Sequence, residues 1–226
     1  LYKAATAGQD CLSTTAGETV NAIWSPSENF SGLQVLKHHH SRHTDAAIEL
    51  GHLKKLKHLE LSGFQNNKIS SWQKLKLLQK LKLSNIEGLK ELPRSVGNLQ
   101  SLKELYCDRI EQLSASLVKL RSLQELHLVQ CEGLKQLPTG FGELSSLTKL
   151  NLRQCSSLQE LPCDFHKLLA LQSLDLRYCY SLLRLPEGLG NLQSLTNINV
   201  EGCRKLITLP DRVAGLSLMK GSISFC

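Results

Sequence analysis

Hydrophobic positions recur along this chain in a pattern that repeats every 24 residues. The pattern Leu-x-x-Leu-x-Leu-x-x-Cys-x-x-Leu-x-x-Leu-Pro begins at Leu123 and recurs from Leu147, Leu171 and Leu195, where the last copy carries Ile and Val in place of two leucines. So many coinciding positions at one offset indicate internal repeats, which fold as a linear array of similar units. We therefore expect function to lie on an extended surface rather than in a pocket.

The same phase continues in both directions and predicts about nine units. Their opening leucines are Leu33, Leu56, Leu78, Leu102, Leu123, Leu147, Leu171, Leu195 and Leu218. The step from Leu102 to Leu123 is only 21 residues long. It contains Ile110, Leu113 and Ser114 in place of the longer Cys-to-Leu-Pro run, which indicates a deletion of three residues.

Each unit contains a segment in which apolar and polar residues alternate, as expected for a short β-strand. In one unit this alternation directs Leu126 and Leu128 to one face. The intervening residues Glu125, His127 and Val129 then point to the other face. One such strand cannot bury its apolar face alone, but stacked copies can. Equivalent strands are therefore predicted to pair in parallel, about 4.8 Å apart, in one sheet.

Proline follows the last leucine of most units. Five of the six prolines lie there, namely Pro93, Pro138, Pro162, Pro186 and Pro210. Because proline lacks a backbone N–H and has a fixed φ, it lies outside the sheet's hydrogen bonds and suits the start of a helical turn. Apolar residues spaced by three then predict a short return on the outer side. The predicted fold is an α/β solenoid, a horseshoe with a parallel concave sheet and a convex side of loops, 3₁₀ turns and short helices.

These positions resemble the leucine-rich repeat family over residues 33–226. The 24-residue form with Cys at the turn is similar to the repeat of plant intracellular immune receptors, the nucleotide-binding leucine-rich repeat disease-resistance proteins. Residues 17–24, followed by residues 30–36, resemble the junction into the repeats in the TIR-bearing branch. We therefore expect residues 1–32 to form a junction and residues 33–226 to form a C-terminally truncated array within a longer protein.

The resemblance implies a role in plant defence. In that family the repeat domain contacts the receptor's own nucleotide-binding domain at rest and responds to a pathogen effector or a host protein, which shifts an on–off equilibrium. An alternative is a stand-alone, Ras-adaptor-like scaffold that joins signalling proteins, although such repeats usually have Asn at the turn and 23-residue units. We expect the isolated domain to be monomeric and the protein to be cytoplasmic or nuclear.

Motifs for catalysis and cofactor binding are missing from the sequence. It contains no G-x-x-x-x-G-K-[ST] phosphate loop, no G-x-S-x-G nucleophile turn and no H-E-x-x-H zinc motif. We therefore expect neither enzymatic activity nor a cofactor. No apolar stretch reaches the ~18 residues of a membrane span, and the lysines are not interleaved with aromatic residues as in nucleic-acid binding. Neither a membrane nor a nucleic acid is an expected partner.

Cysteines occupy one position of the repeat. Cys131, Cys155, Cys179 and Cys203 lie 24 residues apart at the turn that leaves each strand, so they are predicted to form a column. Cys is small and readily buried, and its weak donor can satisfy backbone groups of the turn. The spacing offers none of the short Cys pairs of zinc sites, and the absence of paired cysteines at the ends favours a reducing compartment. We interpret the column as structural.

Four histidines lie close together near the first unit, namely His38, His39, His40 and His43. Four imidazoles can hold a metal, but a strand directs His38 and His40 to one face and His39 to the other. His38 also occupies an inward position of the repeat, so a degraded first unit is the simpler interpretation. We predict no metal site.

Positive charge is concentrated in the first half of the array. Between Leu33 and Lys90 there are 11 Lys or Arg against four Asp or Glu, so this section carries the whole net charge of +7. It is either a solvated face or a docking surface for an acidic partner, such as a receptor's nucleotide-binding domain. The lysines of this basic region are Lys54, Lys55, Lys57, Lys74, Lys76, Lys80 and Lys82.

The alternation of the strands also predicts the residues of the concave face. Arg153 and Arg177 occupy equivalent positions, and two neighbouring arginines suit an anionic group of a partner. Alternatively, Arg153 and Asp175 pair with each other and are solvated. Tyr178 and Tyr180 add aromatic contact area beside them. The candidate partner-binding residues are Tyr106, His127, Lys149, Asn151, Arg153, Asp175, Arg177, Tyr178 and Asn199.

Overall fold

The computed structural model of the protein describes residues 11–15, 32–39, 48–65, 69–70, 74–207 and 217–218. The strands within them are β1 (Cys11–Thr15), β2 (Val35–His39), β3 (Ile48–Glu49), β4 (His58–Ser62), β5 (Ile69–Ser70), β6 (Lys80–Ser84), β7 (Glu104–Asp108), β8 (Glu125–Val129), β9 (Lys149–Asn151), β10 (Ser173–Asp175), β11 (Asn197–Asn199) and β12 (Ser217–Leu218). Ten of these strands form one sheet in the order β1-β2-β4-β6-β7-β8-β9-β10-β11-β12, and β3 pairs with β5 separately. Since β1 and β12 lie at opposite ends, the large sheet is open.

The register of the large sheet places equivalent positions of the repeat side by side. Leu126 pairs with Leu150, which pairs with Leu174, and both pairings are parallel. The central column of the concave face runs Glu60, Lys82, Tyr106, His127, Asn151, Asp175, Asn199. The predicted parallel solenoid and its inner column are therefore confirmed.

Two features at the front of the chain were not predicted. Strand β1 lies within the expected junction and extends the concave sheet, with Leu12 opposite Leu36. The small sheet of β3 and β5 is also additional. The junction motif at residues 17–24 and the last unit beyond residue 218 lie outside the described residues, so the boundary at residue 33 stays a prediction.

Side chains of the longer strands alternate between buried and half-buried positions. In β6, β7 and β8 the second and fourth residues are buried, as the alternation predicts. The inward side chains of successive units form one continuous hydrophobic cluster between Leu33 and Val200. Because no single unit encloses its own leucines, burial against the neighbouring units stabilises the array.

Every turn that leaves the sheet between β4 and β11 contains one residue in the left-handed backbone region. These residues are Gly63, Asn85, Arg109, Gln130, Gln154, Tyr178 and Gly202, with φ between 51° and 77°. Five of them are not glycine, although this region favours glycine. The repeated conformation aims the next residue into the core, and from the fourth of these turns onward that residue is the cysteine of the repeat.

Three of the cysteine thiols link their turns to the preceding unit. Cys155 donates to the Leu128 carbonyl at 3.2 Å, and Cys203 donates to the Leu176 carbonyl at 3.1 Å. Cys179 makes the same contact with the unit before it, at 3.2 Å. Hydrogen bonding with the Cys131 thiol, together with burial, raises the pKa of the Cys155 thiol, which keeps it protonated as a donor. The predicted structural column of cysteines is confirmed.

Short 3₁₀ helices form the outer side of the solenoid. They include Arg94–Asn98, Ala115–Lys119, Phe141–Glu143, Cys163–Lys167 and Glu187–Asn191. Pro93, Pro162 and Pro186 each directly precede one of these helices, as predicted. Pro138 lies further upstream, and its carbonyl accepts a hydrogen bond from the Phe141 amide at 3.2 Å. Pro210 lies outside the described residues.

The unit shortened by three residues keeps the same outer architecture. Ser114 precedes its 3₁₀ helix at the place of the proline, and its hydroxyl accepts a hydrogen bond from the Ser116 amide at 3.4 Å. Ile110 is buried, and Leu113 packs partly buried against the core. The deletion therefore shortens the connecting run without interrupting the stack of units.

Candidate functional site

The centre of the concave face is a network of polar side chains around Glu125. Its carboxylate accepts hydrogen bonds from the Tyr106 hydroxyl at 3.0 Å and the Lys149 ammonium at 2.7 Å. His127 Nε2 lies 3.3 Å from the same carboxylate. The rings of Tyr106 and His127 stack, with centroids 4.3 Å apart and planes inclined by 10°. The register of β7, β8 and β9 thus brings together three of the predicted partner-binding residues.

This network shifts the pKa values of Glu125 and Tyr106. The hydrogen bond from Lys149 is the main reason that the pKa of Glu125 is lowered, while partial burial opposes the effect. Burial, followed by the hydrogen bond to Glu125, raises the pKa of the Tyr106 phenol. At neutral pH Glu125 is therefore ionised and Tyr106 is protonated. The surface presents donors and acceptors whose positions are set before a partner arrives.

Two lysines of the basic region lie on this face and are already paired. Lys80 lies 2.5 Å from the Glu104 carboxylate, and Lys82 lies 2.6 Å from the Glu60 carboxylate. Lys80 also lies over the Tyr106 ring, 5.0 Å from its centroid. Because a paired ammonium attracts a further anion less strongly, these two lysines contribute less to an acidic docking surface than the sequence suggests.

The other lysines of the basic region flank the concave sheet. They are exposed, and none has an ion pair with any residue that the structure describes; they are Lys54, Lys55, Lys57, Lys74 and Lys76. Lys57 directly precedes β4, and Lys74 and Lys76 lie in the approach to β6. We call these side chains, which have no acidic partner in the described part of the chain, the basic strip; they lie at the edge where the chain enters the sheet.

Three candidate residues of the central column have a structural role that the strand alternation did not predict. The side chains of Asn151, Asp175 and Asn199 each accept a hydrogen bond from the backbone amide two residues later, at 2.9, 3.0 and 3.0 Å. Such a local bond competes with the sheet ladder. Strands β9, β10 and β11 accordingly have three residues, whereas β8 has five. The signal in the sequence was Asn or Asp at this position in three successive units.

The two candidate arginines have different partners. Arg177, in the turn after β10, pairs with Asp175 at the end of that strand, with Nη2 2.6 Å and Nε 3.0 Å from its carboxylate. The alternative pair of Arg153 with Asp175 does not form, since Arg177 projects from the same face two residues away. Arg153 instead lies over the Tyr178 ring, 5.7 Å from its centroid, and has no ion pair among the described residues. Of the two arginines, only Arg177 therefore has a carboxylate partner among the described residues.

The two described histidines of the first unit, His38 and His39, have different surroundings. His38 is buried, as its inward position predicted, and its ring lies 5.1 Å from that of Phe64. His39 is exposed, with Nδ1 2.7 Å from the Ser62 hydroxyl. His40 and His43 lie outside the described residues. Within the part of the chain that is described, no three His, Cys, Asp or Glu side chains are arranged to hold a metal, and no helix has the length and apolarity to cross a membrane.

Comparison with known families gives two matches. One family model, described as "Leucine-rich repeat region", matches residues 12–134, and another, described as "Leucine Rich Repeat", matches residues 170–192. The first covers more than half of the 226 residues. No curated protein matches the chain.

Several solved structures are similar to this one. The leucine-rich repeat domain of the type III effector XopL is 26% identical with a TM-score of 0.66, and the match covers 85% of this chain and 77% of that one. InlP of Listeria monocytogenes is 19% identical with a TM-score of 0.59, over 76% of this chain and 49% of that one. The Arabidopsis receptor kinase HAESA, solved with the peptide hormone IDA and the co-receptor SERK1, is 19% identical with a TM-score of 0.57, over 79% and 34%.

The similarity to these solved structures agrees with the parallel sheet of repeated units in this chain. The match to InlP and HAESA concerns the fold alone, and the chain spans only about half and about a third of those two chains. The fold of this chain is an array of repeated units with a broad parallel sheet. A surface of this kind is suited to protein–protein interaction.

Proposed function

We propose that this chain, which belongs to the leucine-rich repeat family, recognises a partner protein on its concave face. We propose further that it does so within a plant disease-resistance receptor. The observation that carries the proposal is the network around Glu125. Tyr106, His127 and Lys149 are held there by one carboxylate at the centre of the sheet. Aromatic and charged side chains in fixed positions are typical of interface centres.

The receptor assignment rests on the form of the repeat. Units of 24 residues with Cys at the turn resemble those of the nucleotide-binding leucine-rich repeat receptors, with the TIR-bearing branch favoured by the junction at residues 17–24. The partner would be a pathogen effector or a host protein, recognised in the cytoplasm or nucleus. The role is recognition and restraint of the receptor's switch, without catalysis by this domain.

The basic strip supports an intramolecular contact in such a receptor. Lys54, Lys57 and Lys76 are exposed, and none forms an ion pair with a described residue. An acidic surface of the nucleotide-binding domain would gain favourable contacts there in the resting state. Release of that contact by ligand binding would shift the receptor to its active state.

The coding sequence upstream of this chain tests the receptor assignment. We expect it to encode a G-x-x-x-x-G-K-[ST] phosphate loop within a few hundred residues. If it encodes none, the receptor proposal fails and the stand-alone scaffold takes its place. Where the loop is present, reversal of Lys54, Lys57 and Lys76 to Glu should weaken binding to the separately expressed nucleotide-binding domain at least about tenfold. Lys119→Glu, an exposed lysine on an outer 3₁₀ helix, is the matched control.

Proximity labelling in leaf cells tests recognition by the concave face. The full-length protein, fused to a biotin ligase, is compared with the double variant His127→Ala and Lys149→Ala. We expect the variant to lose labelled proteins that the wild type retains, because it removes the stack and the ammonium at the centre. Lys135→Ala, which alters an exposed outer residue, should leave the labelled set unchanged. Identical sets for all three proteins would contradict binding at this site.

A further inference from the structure

Exposed apolar side chains cluster where two neighbouring units leave the concave sheet. We call Tyr180, Leu183, Arg204 and Ile207 the exit patch. Its three apolar members expose 40%, 49% and 75% of their surface in the order Tyr180, Leu183, Ile207. They are three of the five large hydrophobic residues that are exposed in the described part of the chain. Exposed apolar groups that adjoin one another indicate an interaction site more strongly than single ones do.

The stacking of the units places the four residues in two pairs of equivalent positions in neighbouring units. Tyr180 and Arg204 occupy equivalent positions, and the guanidinium lies 5.0 Å from the ring centroid. Leu183 and Ile207 are likewise equivalent positions, one unit apart. The outer loops stack directly, since the Leu183 amide donates to the Gln159 carbonyl of the preceding unit at 3.0 Å. Tyr180 and Leu183 are three residues apart, a span of at most ~10 Å.

Packing of the repeat does not require these residue types. The position of Leu183 is held by Gln159 in the preceding unit and by Lys135 in the one before. The position of Tyr180 is held by Ser156 and Glu132 in those units. The same backbone thus carries polar side chains elsewhere in the array, so the apolar patch is a local property of two units. A requirement of folding does not account for it.

The cations of this region have no acidic partner among the described residues. Arg204 and the adjacent Lys205 are exposed and form no ion pair with the described residues. The neighbouring carboxylate, Glu201, accepts a hydrogen bond from the Tyr178 hydroxyl at 3.2 Å. A guanidinium whose face lies on an aromatic ring still presents its N–H edge to a carboxylate. The charge of the patch is therefore positive and complementary to an acidic ligand.

The exit patch also continues onto the concave face. The rings of Tyr178 and Tyr180 have centroids 6.3 Å apart, and Arg153 lies over Tyr178. Tyr178 is held close to the next unit, since a Cβ on Gly202 would lie only 2.6 Å from its ring. A ligand on the patch therefore reaches the concave surface across Tyr178 without crossing a gap.

We infer that the exit patch binds a protein segment in which an Asp or Glu side chain lies next to an aliphatic or aromatic one. The carboxylate pairs with the N–H edge of Arg204, and the apolar side chain packs against Tyr180, Leu183 and Ile207. Tyrosine and arginine are enriched among the residues that dominate binding energy, and aliphatic neighbours exclude water around them. The inference rests on the proposed role in protein recognition and names the chemistry of the partner.

Selection from a random dodecapeptide library displayed on phage, with the whole chain as bait, tests this inference. Selected peptides are synthesised with fluorescein, and their dissociation constants are measured by fluorescence anisotropy. We expect them to share an acidic residue beside an apolar one. The double variant Tyr180→Ser and Leu183→Gln, which copies the preceding unit and so preserves folding, should weaken binding at least about tenfold. Arg204→Glu should weaken it by a similar factor.

Controls separate the patch from general surface effects. Leu169→Asp alters a side chain that is 64% exposed at the opposite edge, where the chain enters β10. It should leave the dissociation constants unchanged, as should Lys119→Glu. The inference would be overturned if no peptide is selected, or if the selected peptides carry no acidic residue. It would also be overturned if peptide binding is unchanged in both patch variants. Peptides that depend on His127 and Lys149 but tolerate the patch variants would overturn it while supporting recognition by the concave face.

Discussion

Replacement of Gly142 by Ala is expected to disrupt the contact between two outer 3₁₀ helices. Gly142 is buried in the helix Phe141–Glu143. A Cβ at this position would lie 2.1 Å from the backbone carbonyl oxygen of Asp164, in the helix Cys163–Lys167. A backbone atom cannot rotate away as the end of a side chain can. The whole Cys163–Lys167 helix must therefore shift to admit the methyl group.

The size of the effect follows from what this shift displaces. The two atoms must separate from 2.1 Å to at least 3.0 Å. The shift parts the stacked rings of Phe141 and Phe165, which are fully buried with centroids 6.3 Å apart, and lengthens the hydrogen bond from the Gly142 amide to Asp164, now 3.2 Å. Overpacking costs about 1–3 kcal/mol and the hydrogen bond about 1 kcal/mol, so we expect a loss of about 2–4 kcal/mol.

Urea denaturation followed by circular dichroism measures this loss, and the melting temperature should fall by about 2–4 °C per kcal/mol. Gly133→Ala is the matched control, because its Cβ would meet the exposed side chain of Glu111, which can move. That variant should lose less than about 1 kcal/mol. If Gly142→Ala is no more destabilising than Gly133→Ala, the close contact between Gly142 and the Cys163–Lys167 helix is contradicted.

Two further predictions concern the thiol column and the concave network. Cys155→Ala should lower the free energy of unfolding by about 1–2 kcal/mol, because it removes the hydrogen bond to the Leu128 carbonyl and some buried volume. Cys163→Ala, at an exposed position, should leave the free energy of unfolding unchanged. Equal urea midpoints for the two variants would contradict this prediction. Lys149→Met should destabilise the protein most above the ordinary pKa of Glu125, since a carboxyl whose pKa is lowered in the folded state stabilises it there and loses that effect as the pH falls through the folded value. Urea titrations at about pH 3 and about pH 6 should show the larger difference at the higher pH.

The fold was predictable because the same signal is repeated. Each unit shows the alternation of apolar and polar residues that is typical of a strand. Because several copies lie at one offset, a single register places leucine beside leucine, as Leu126 lies beside Leu150. The cysteine column was predictable for the same reason. Strand β1 was missed because Leu12 and its neighbours lie in a segment without the full pattern, and only pairing with β2 reveals it.

The candidate site was predictable in position but not in its contacts. Alternation placed Tyr106, His127 and Lys149 on the concave face, yet it did not show that Glu125 holds all three. Nor did it show that Asp175 pairs with Arg177 rather than with Arg153. Such pairings depend on side-chain rotamers and on the distances between side chains of neighbouring strands. The repeat pattern indicates the strand and the face on which a residue lies, but not these rotamers or distances.

The sequence by itself determined the units, their parallel register, and which side chains point inward, because burial of leucine at a fixed period permits one arrangement. Tertiary structure alone decided which outward side chains are already engaged and which remain available to a partner. Asn151 and Asp175 are engaged by backbone turns, whereas the apolar side chains of the exit patch are exposed. The reason is that burial is a property of each position, while availability depends on the neighbours that stacking brings beside it.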